Sequence, residues 1–328
     1  MTADLSPNGS IHRRTFIESI KLAWANLNLG GKNIQLIWEN DFATEIGGIE
    51  ASNKLINKGV DFVVGHYSST AAKHALPYYA KEQIPVFLPA ASSDILTQEF
   101  DYTFRICGKD SDLACLISSH IASKKPHKLY IGCDNTVHGI ELSYLIKKNL
   151  SSVSAATLTN KLNNANKVIF IGNFNNTVDF MNINKRHLQN TEELYFTDDL
   201  VHPELANYAI PKKTNIFIFG YAHSINYADA KFINNQYYCT HHEYPSTFFL
   251  ETYASFEIID QLIALSKNSN EWKILLGQKD WKTVVGRITF KDSRDSIHPK
   301  FALWKFENNN LKMIKEYKND RQESTFVL

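Results

Sequence analysis

The chain has little cysteine: four in 328 residues, Cys107, Cys115, Cys133 and Cys239, with no C-x-x-C pair and no zinc-ligand spacing. That excludes a sequence-readable disulfide framework or cysteine metal site, and each thiol reads as a small buried hydrophobe. Charge of one sign is also missing, since 35 Lys and Arg face 34 Asp and Glu. A dedicated nucleic-acid binder carries a basic excess, so no nucleic-acid partner is expected. No apolar run approaches the roughly 18–20 residues of a membrane span. The motifs G-x-S-x-G, H-E-x-x-H and G-x-G-x-x-G are absent, so the sequence points to no enzyme, metal or cofactor. His241-His242-Glu243 hints at a metal, but adjacent residues point in different directions and the segment reads as a helix end. The opening MTADLSPNGSIHRR lacks the apolar core of a signal peptide, which on its own reads as cytoplasmic.

What is present is apolar material, 44 % of the chain, enough for real cores, and a length that favours two domains. Phe16, Ile20, Ala23 and Leu27 recur at helical spacing, and Gly30-Gly31 ends that helix. Ile34 to Trp38 reads as a strand, 44–58 as a helix, VDFVVG (60–65) as a buried strand, 68–82 as a helix and IPVFLPA (84–90) as a strand. Helices between strands give crossovers long enough for parallel pairing, hence a doubly wound α/β layer. Ligands on such sheets sit beyond the carboxyl ends of the strands, here the hydroxyl-rich HYSST and PAASSD. A second α/β cycle begins near 128, with strands at 128–133, 168–172, 193–197 and 215–220 and a helix at 138–150. A long helix is expected over 246–266 with Ser246 as N-cap, then strands at 286–290 and 301–306 and a hairpin tip at 307–310.

The segments GGKNIQLIWEND (30–41), KLINKGVDFVVGHYSST (54–70), IPVFLPAASSDILT (84–97) and FRICGKDSD (104–112) resemble the type I periplasmic binding proteins, in their Leu/Ile/Val-binding branch. The stretch 232–265 and the pair GRITFKDSRD and FALWKF carry the resemblance through the second half. It implies two Rossmann-like doubly wound lobes joined by three crossover strands, near 105–109, 219–224 and 297–301. Residues 1–107 plus 221–298 would form one lobe, 108–220 plus 299–320 the closing lobe, and 321–328 a tail. It further implies an extracytoplasmic, periplasmic solute-binding protein of an ABC importer, monomeric, handing an amino-acid-like ligand to a membrane permease. A ligand-sensing module of the same fold, or a paralogue with a degraded pocket, are the alternatives. The family begins with a longer apolar strand than Met1 to Asp4 supplies, so the expected start lies upstream, with a signal peptide.

A free amino acid needs donors for its carboxylate and acceptors for its ammonium. Ser68, Ser69 and Thr70 open a helix, where orphan N–H groups and the dipole favour a carboxylate. By resemblance, Ser69 binds that carboxylate, and Ala90 and Ser92 hold the head group. Asp198 and Asp199 stand where the family places the acid facing the ammonium, and Phe174 where it places an aromatic over the ligand. His138 replaces a common Tyr, and Tyr67 is placed at the mouth of the cleft. The connection TNKLNNAN is shorter than the helix expected there, which trims the second lobe.

Overall fold

The computed structural model describes residues 1–124, 128–152, 157–208, 214–291, 293–296 and 299–317. The 321–328 tail and part of the 297–301 crossover lie outside them. Strand β1 (Thr2–Ala3) pairs in parallel with β2 (Glu39–Asn40). Strands β3 (Val63–Val64), β4 (Val86–Leu88) and β5 (Thr103–Arg105) form a second parallel set. Gly65 brings the two sets together. A Cβ there would stand 2.0 Å from the Thr2 carbonyl oxygen, and its φ of +123° is one that side chains rarely adopt. Any other residue would push β1 away from the end of β3.

Strands β6 (Leu129–Cys133), β7 (Lys167–Ile171), β8 (Glu193–Phe196) and β9 (Asn215–Tyr221) are parallel to one another. A separate antiparallel hairpin comprises β10 (Asp280–Thr283) and β11 (Gly286–Thr289). The chain then returns to the large sheet: β12 (Phe301–Glu307) lies antiparallel to β9, and β13 (Asn310–Tyr317) to β12. The sheet order is β13-β12-β9-β8-β7-β6. On the outer strand β13, Ile314 is left over at a bulge and Lys312 and Lys315 are exposed.

Helices fill the crossovers: α1 (Arg13–Asn26), α2 (Glu45–Asn57), α3 (Ser69–Lys81), α4 (Ile95–Gln98), α5 (Asp110–Lys124), α6 (Val137–Ser152), α7 (Phe174–Ile183) and α8 (Lys185–Leu188). Later come α9 (Lys231–His241), α10 (Phe249–Leu265) and α11 (Ser269–Gln278). Helices α2 and α3 start where Thr44 and Ser68 hydroxyls accept the N–H groups of Gly47 and Ala71, at 3.0 and 3.5 Å. Buried Phe16, Phe87, Phe104 and Phe249 sit in one core cluster, and Ile131, Ile171 and Phe219 in another under α5 and α6. The fully buried Arg105 ties β5 to the chain's return, its Nε 2.9 Å from Asp295 Oδ1.

This is the expected doubly wound α/β architecture, with local differences. Ile34 to Trp38 run without a ladder, and only Glu39–Asn40 pair, because β1 offers two residues to pair with. Helix α10 begins at Phe249, not Ser246, since Phe248 adopts φ +70° and breaks the helical path. Ser246 does not cap it, and its hydroxyl pairs with that of Thr15 at 2.7 Å. The short connection before β7 holds one 3-10 turn, Leu162–Asn164.

Candidate functional site

The carboxyl ends of seven strands, β1 to β4 and β6 to β8, deliver loops to a single cavity of about 300 Å³. All eight residues singled out in the sequence line it: Tyr67, Ser69, Ala90, Ser92, His138, Phe174, Asp198 and Asp199.

One wall is built on α3 and the loop after β4. Ser68 is the N-cap, so Ser69 is not consumed in capping. The Ser69 hydroxyl accepts the Ser93 N–H at 3.4 Å, which locks the two loops side by side. Ala90 and Ser92 are buried, and the absence of bulk at Ala90 lets backbone face the cavity. Tyr67 is half-buried, with its ring against Phe16 and Phe248. Its hydroxyl bonds that of Thr252 and donates to the Phe248 carbonyl at 3.4 Å. Tyr67 thus lines the cavity, held in place on both its ring and its hydroxyl.

The opposite wall is charged. His138 Nδ1 lies 3.0 Å from Asp110 Oδ1 and 3.1 Å from the Ser92 hydroxyl, and its Nε2 lies 3.8 Å from Asp198 Oδ1. Burial opposes charge on this ring, but the Asp110 carboxylate and its hydrogen bond outweigh it and lift the pKa to about 10. His138 is thus an imidazolium. Asp198 is pushed up to about 6 by burial, with Asp199 and Asp110 adding to the rise and His138 opposing it. Asp199 goes the other way despite burial, lowered by the hydrogen bond and charge of His12, 3.0 Å from its Oδ1, and by His138. Two adjacent carboxyls are thereby set apart, one firmly ionised and one titrating near neutrality. Burial and the neighbouring His12 depress His202 to about 3, so it stays neutral behind Phe174.

Four contributors were not named from sequence as site residues, because their partners are far away in the chain. Asp110 acts from the first turn of α5. Asp134 accepts the Asn173 N–H at 3.0 Å and the Thr136 N–H at 3.0 Å, fixing the loops after β6 and β7. Its position just after a buried strand was the available signal. His12 holds Asp199 across 187 residues. Glu141, on α6, accepts the Asp94 N–H at 3.0 Å and the Ser93 hydroxyl, and Thr70 accepts the Val137 N–H at 3.1 Å. The two walls are therefore joined directly beside the cavity.

Parallel strand sets whose carboxyl ends converge on a ligand-sized cavity mark the class: the fold is that of the type I periplasmic binding proteins. A leucine-binding protein LivK from Thermotoga maritima superposes with a TM-score of 0.84 at 14 % identity, over 96 % of this chain and 97 % of that one. The substrate-binding protein LivJ from Streptococcus pneumoniae, solved with isoleucine, gives 0.80 at 19 % identity over 97 % of each chain. In sequence, the periplasmic binding protein family matches residues 1–160. The Leu/Ile/Val-binding protein of Escherichia coli is 28 % identical over 178 residues, 53 % of this chain and 45 % of that protein. The chain thus spans about half the length of that relative. A homologue of it from Brucella melitensis is 24 % identical over 302 residues, 85 % of this chain and 81 % of the relative. The fold is thus shared with these structures, and the first 160 residues match the periplasmic binding protein family in sequence.

Proposed function

We propose that the chain is the solute-binding component of an ABC importer and that it takes an amino acid or a close polar relative. One observation carries the reading: Asp198 Oδ1 is buried at the cavity wall with no hydrogen-bond partner among the described residues, its nearest charge being the His138 ring at 3.8 Å, beside the ionised Asp199. An α-ammonium supplies the missing donors, and an unsatisfied buried carboxylate is costly without one. Across the cavity, the Ser69 hydroxyl, the α3 N-terminus and the loop holding Ala90 and Ser92 offer donors for the α-carboxylate. Phe174 and Tyr67 would close over the apolar part. Arg13 also lines the cavity and has no ion pair among the described residues, and with the charged His138 it favours a polar over a branched aliphatic side chain.

In this reading residues 1–107 with 221–298, and 108–220 with 299–320, are two lobes that close on the ligand. Ligand contacts to both walls stabilise the closed form, which a membrane permease then recognises. The protein acts as a monomer in the periplasm and performs no chemistry on its cargo.

Calorimetry with a panel of L-amino acids tests this. One or a few should bind with Kd around 1 µM, about −8 kcal/mol. Asp199→Ala should weaken binding by about 30-fold or more by stranding the ammonium, and Ser69→Ala by about tenfold. Folded protein that binds no amino acid, amide or polyamine, or unchanged affinity in both variants, would overturn it.

A further inference from the structure

A second cavity of about 300 Å³ lies on the far side of Phe248, which walls both. Its lining is dominated by rings: Tyr221, Tyr227, Tyr244, Phe248, Trp304 and Phe306. Its polar side is made by His223, Ser224, Ser246, Thr247, Glu251 and the Asn309-Asn310 pair, and two of these are unusual. Ser224 is 6 % exposed, and its hydroxyl is buried with no hydrogen-bond partner among the described residues. Glu251, in the first turn of α10, is 7 % exposed and pairs with no cation among the described residues. Burial lifts its carboxyl to about 7, and only its own backbone N–H opposes the rise.

A glutamate in a first helical turn is stabilised by the helix dipole, but an exposed one gains that as well. Burying it among aromatic rings adds a desolvation cost that its own backbone N–H offsets only in part and that no cation among the described residues offsets. A cation entering the cavity would offset it twice, by pairing with the carboxylate and by lying against ring faces. A volume of about 300 Å³ is at the small end for ligand pockets, which limits the guest to a compact body.

We propose that this cavity binds a small organic monocation, an amine with a compact apolar body, its ammonium against Glu251 and its body among the rings. The Ser224 hydroxyl accepts a second N–H from the same ammonium. This does not depend on what the main cleft carries.

The test uses the full chain and 3-methylbutylamine, titrated by calorimetry at about pH 8, with 3-methylbutanol as the neutral isostere. The amine should saturate one site and the alcohol should not. Glu251→Gln should weaken amine binding by about tenfold or more. Ala206→Phe, which fills the cavity from its half-buried rim without touching a charge, should do the same. Asp199→Asn, in the main cleft, should leave the amine affinity intact. No saturable amine binding, equal binding of the alcohol, or indifference to both Glu251→Gln and Ala206→Phe would overturn the proposal. So would loss of amine binding in Asp199→Asn, which would put the amine in the main cleft. Circular dichroism identifies any variant that fails to fold, and the other then decides.

Discussion

His138 is held between Asp110 at 3.0 Å and Asp198 at 3.8 Å, and that position sets its protonation. Its pKa rises from 6.5 to about 10 in the folded chain, so the folded state binds the proton more tightly than the unfolded state. The resulting stabilisation is complete below about pH 6.5 and is lost as pH climbs towards 10. Urea midpoints should therefore fall across that window, and His138→Gln should flatten the fall. Asp198 provides a second pH response, in binding rather than stability. With its carboxyl titrating at about 6, the proposed ammonium contact weakens as the group takes up a proton. Ligand affinity should drop by up to about tenfold per pH unit below that point, and calorimetry across pH 5 to 7.5 would measure it. An affinity independent of pH over that range would remove Asp198 from the head-group contact.

Among the elements, α6 does more than cover the sheet. Its Glu141 and the N–H of its Val137 reach the loops after β4 and β3. We expect Glu141→Gln combined with Thr70→Val to open the unliganded chain, raising its radius of gyration in small-angle scattering and weakening ligand binding several-fold. An unchanged radius and affinity would mean these bonds are incidental to closure. Legibility also differs by element. Helices α2 and α3 were readable to within a residue or two because Thr44 and Ser68 announce their starts. The strand expected at 34–38 was not realised, since apolar alternation says nothing about whether a neighbour is present to pair with it. The start of α10 was missed because the left-handed Phe248 is imposed by tertiary packing against Tyr67, Tyr221 and His12. The cavity-lining residues were legible where a strand end and a helix start coincide, as at Ser69 and Asp198. His12, Asp110 and Glu141 were not, because their partners lie 187, 28 and 48 residues away.

At the scale of the whole molecule, the order β13-β12-β9-β8-β7-β6 means that the last described strand closes a sheet begun nearly two hundred residues earlier in the chain. Among the described residues that leaves β13 as an outer margin with no strand paired beyond it, where another chain could add itself as the next strand. The margin is guarded: Ile314 bulges out of register, and Lys312 and Lys315 project from it. Deleting Ile314 and replacing both lysines with valine should turn the strand into a template. Sedimentation velocity should then show concentration-dependent association, while far-UV circular dichroism stays native-like. A bulge and two lysines thus act as a solubility device: they keep the sheets of neighbouring copies from merging edge to edge into fibres.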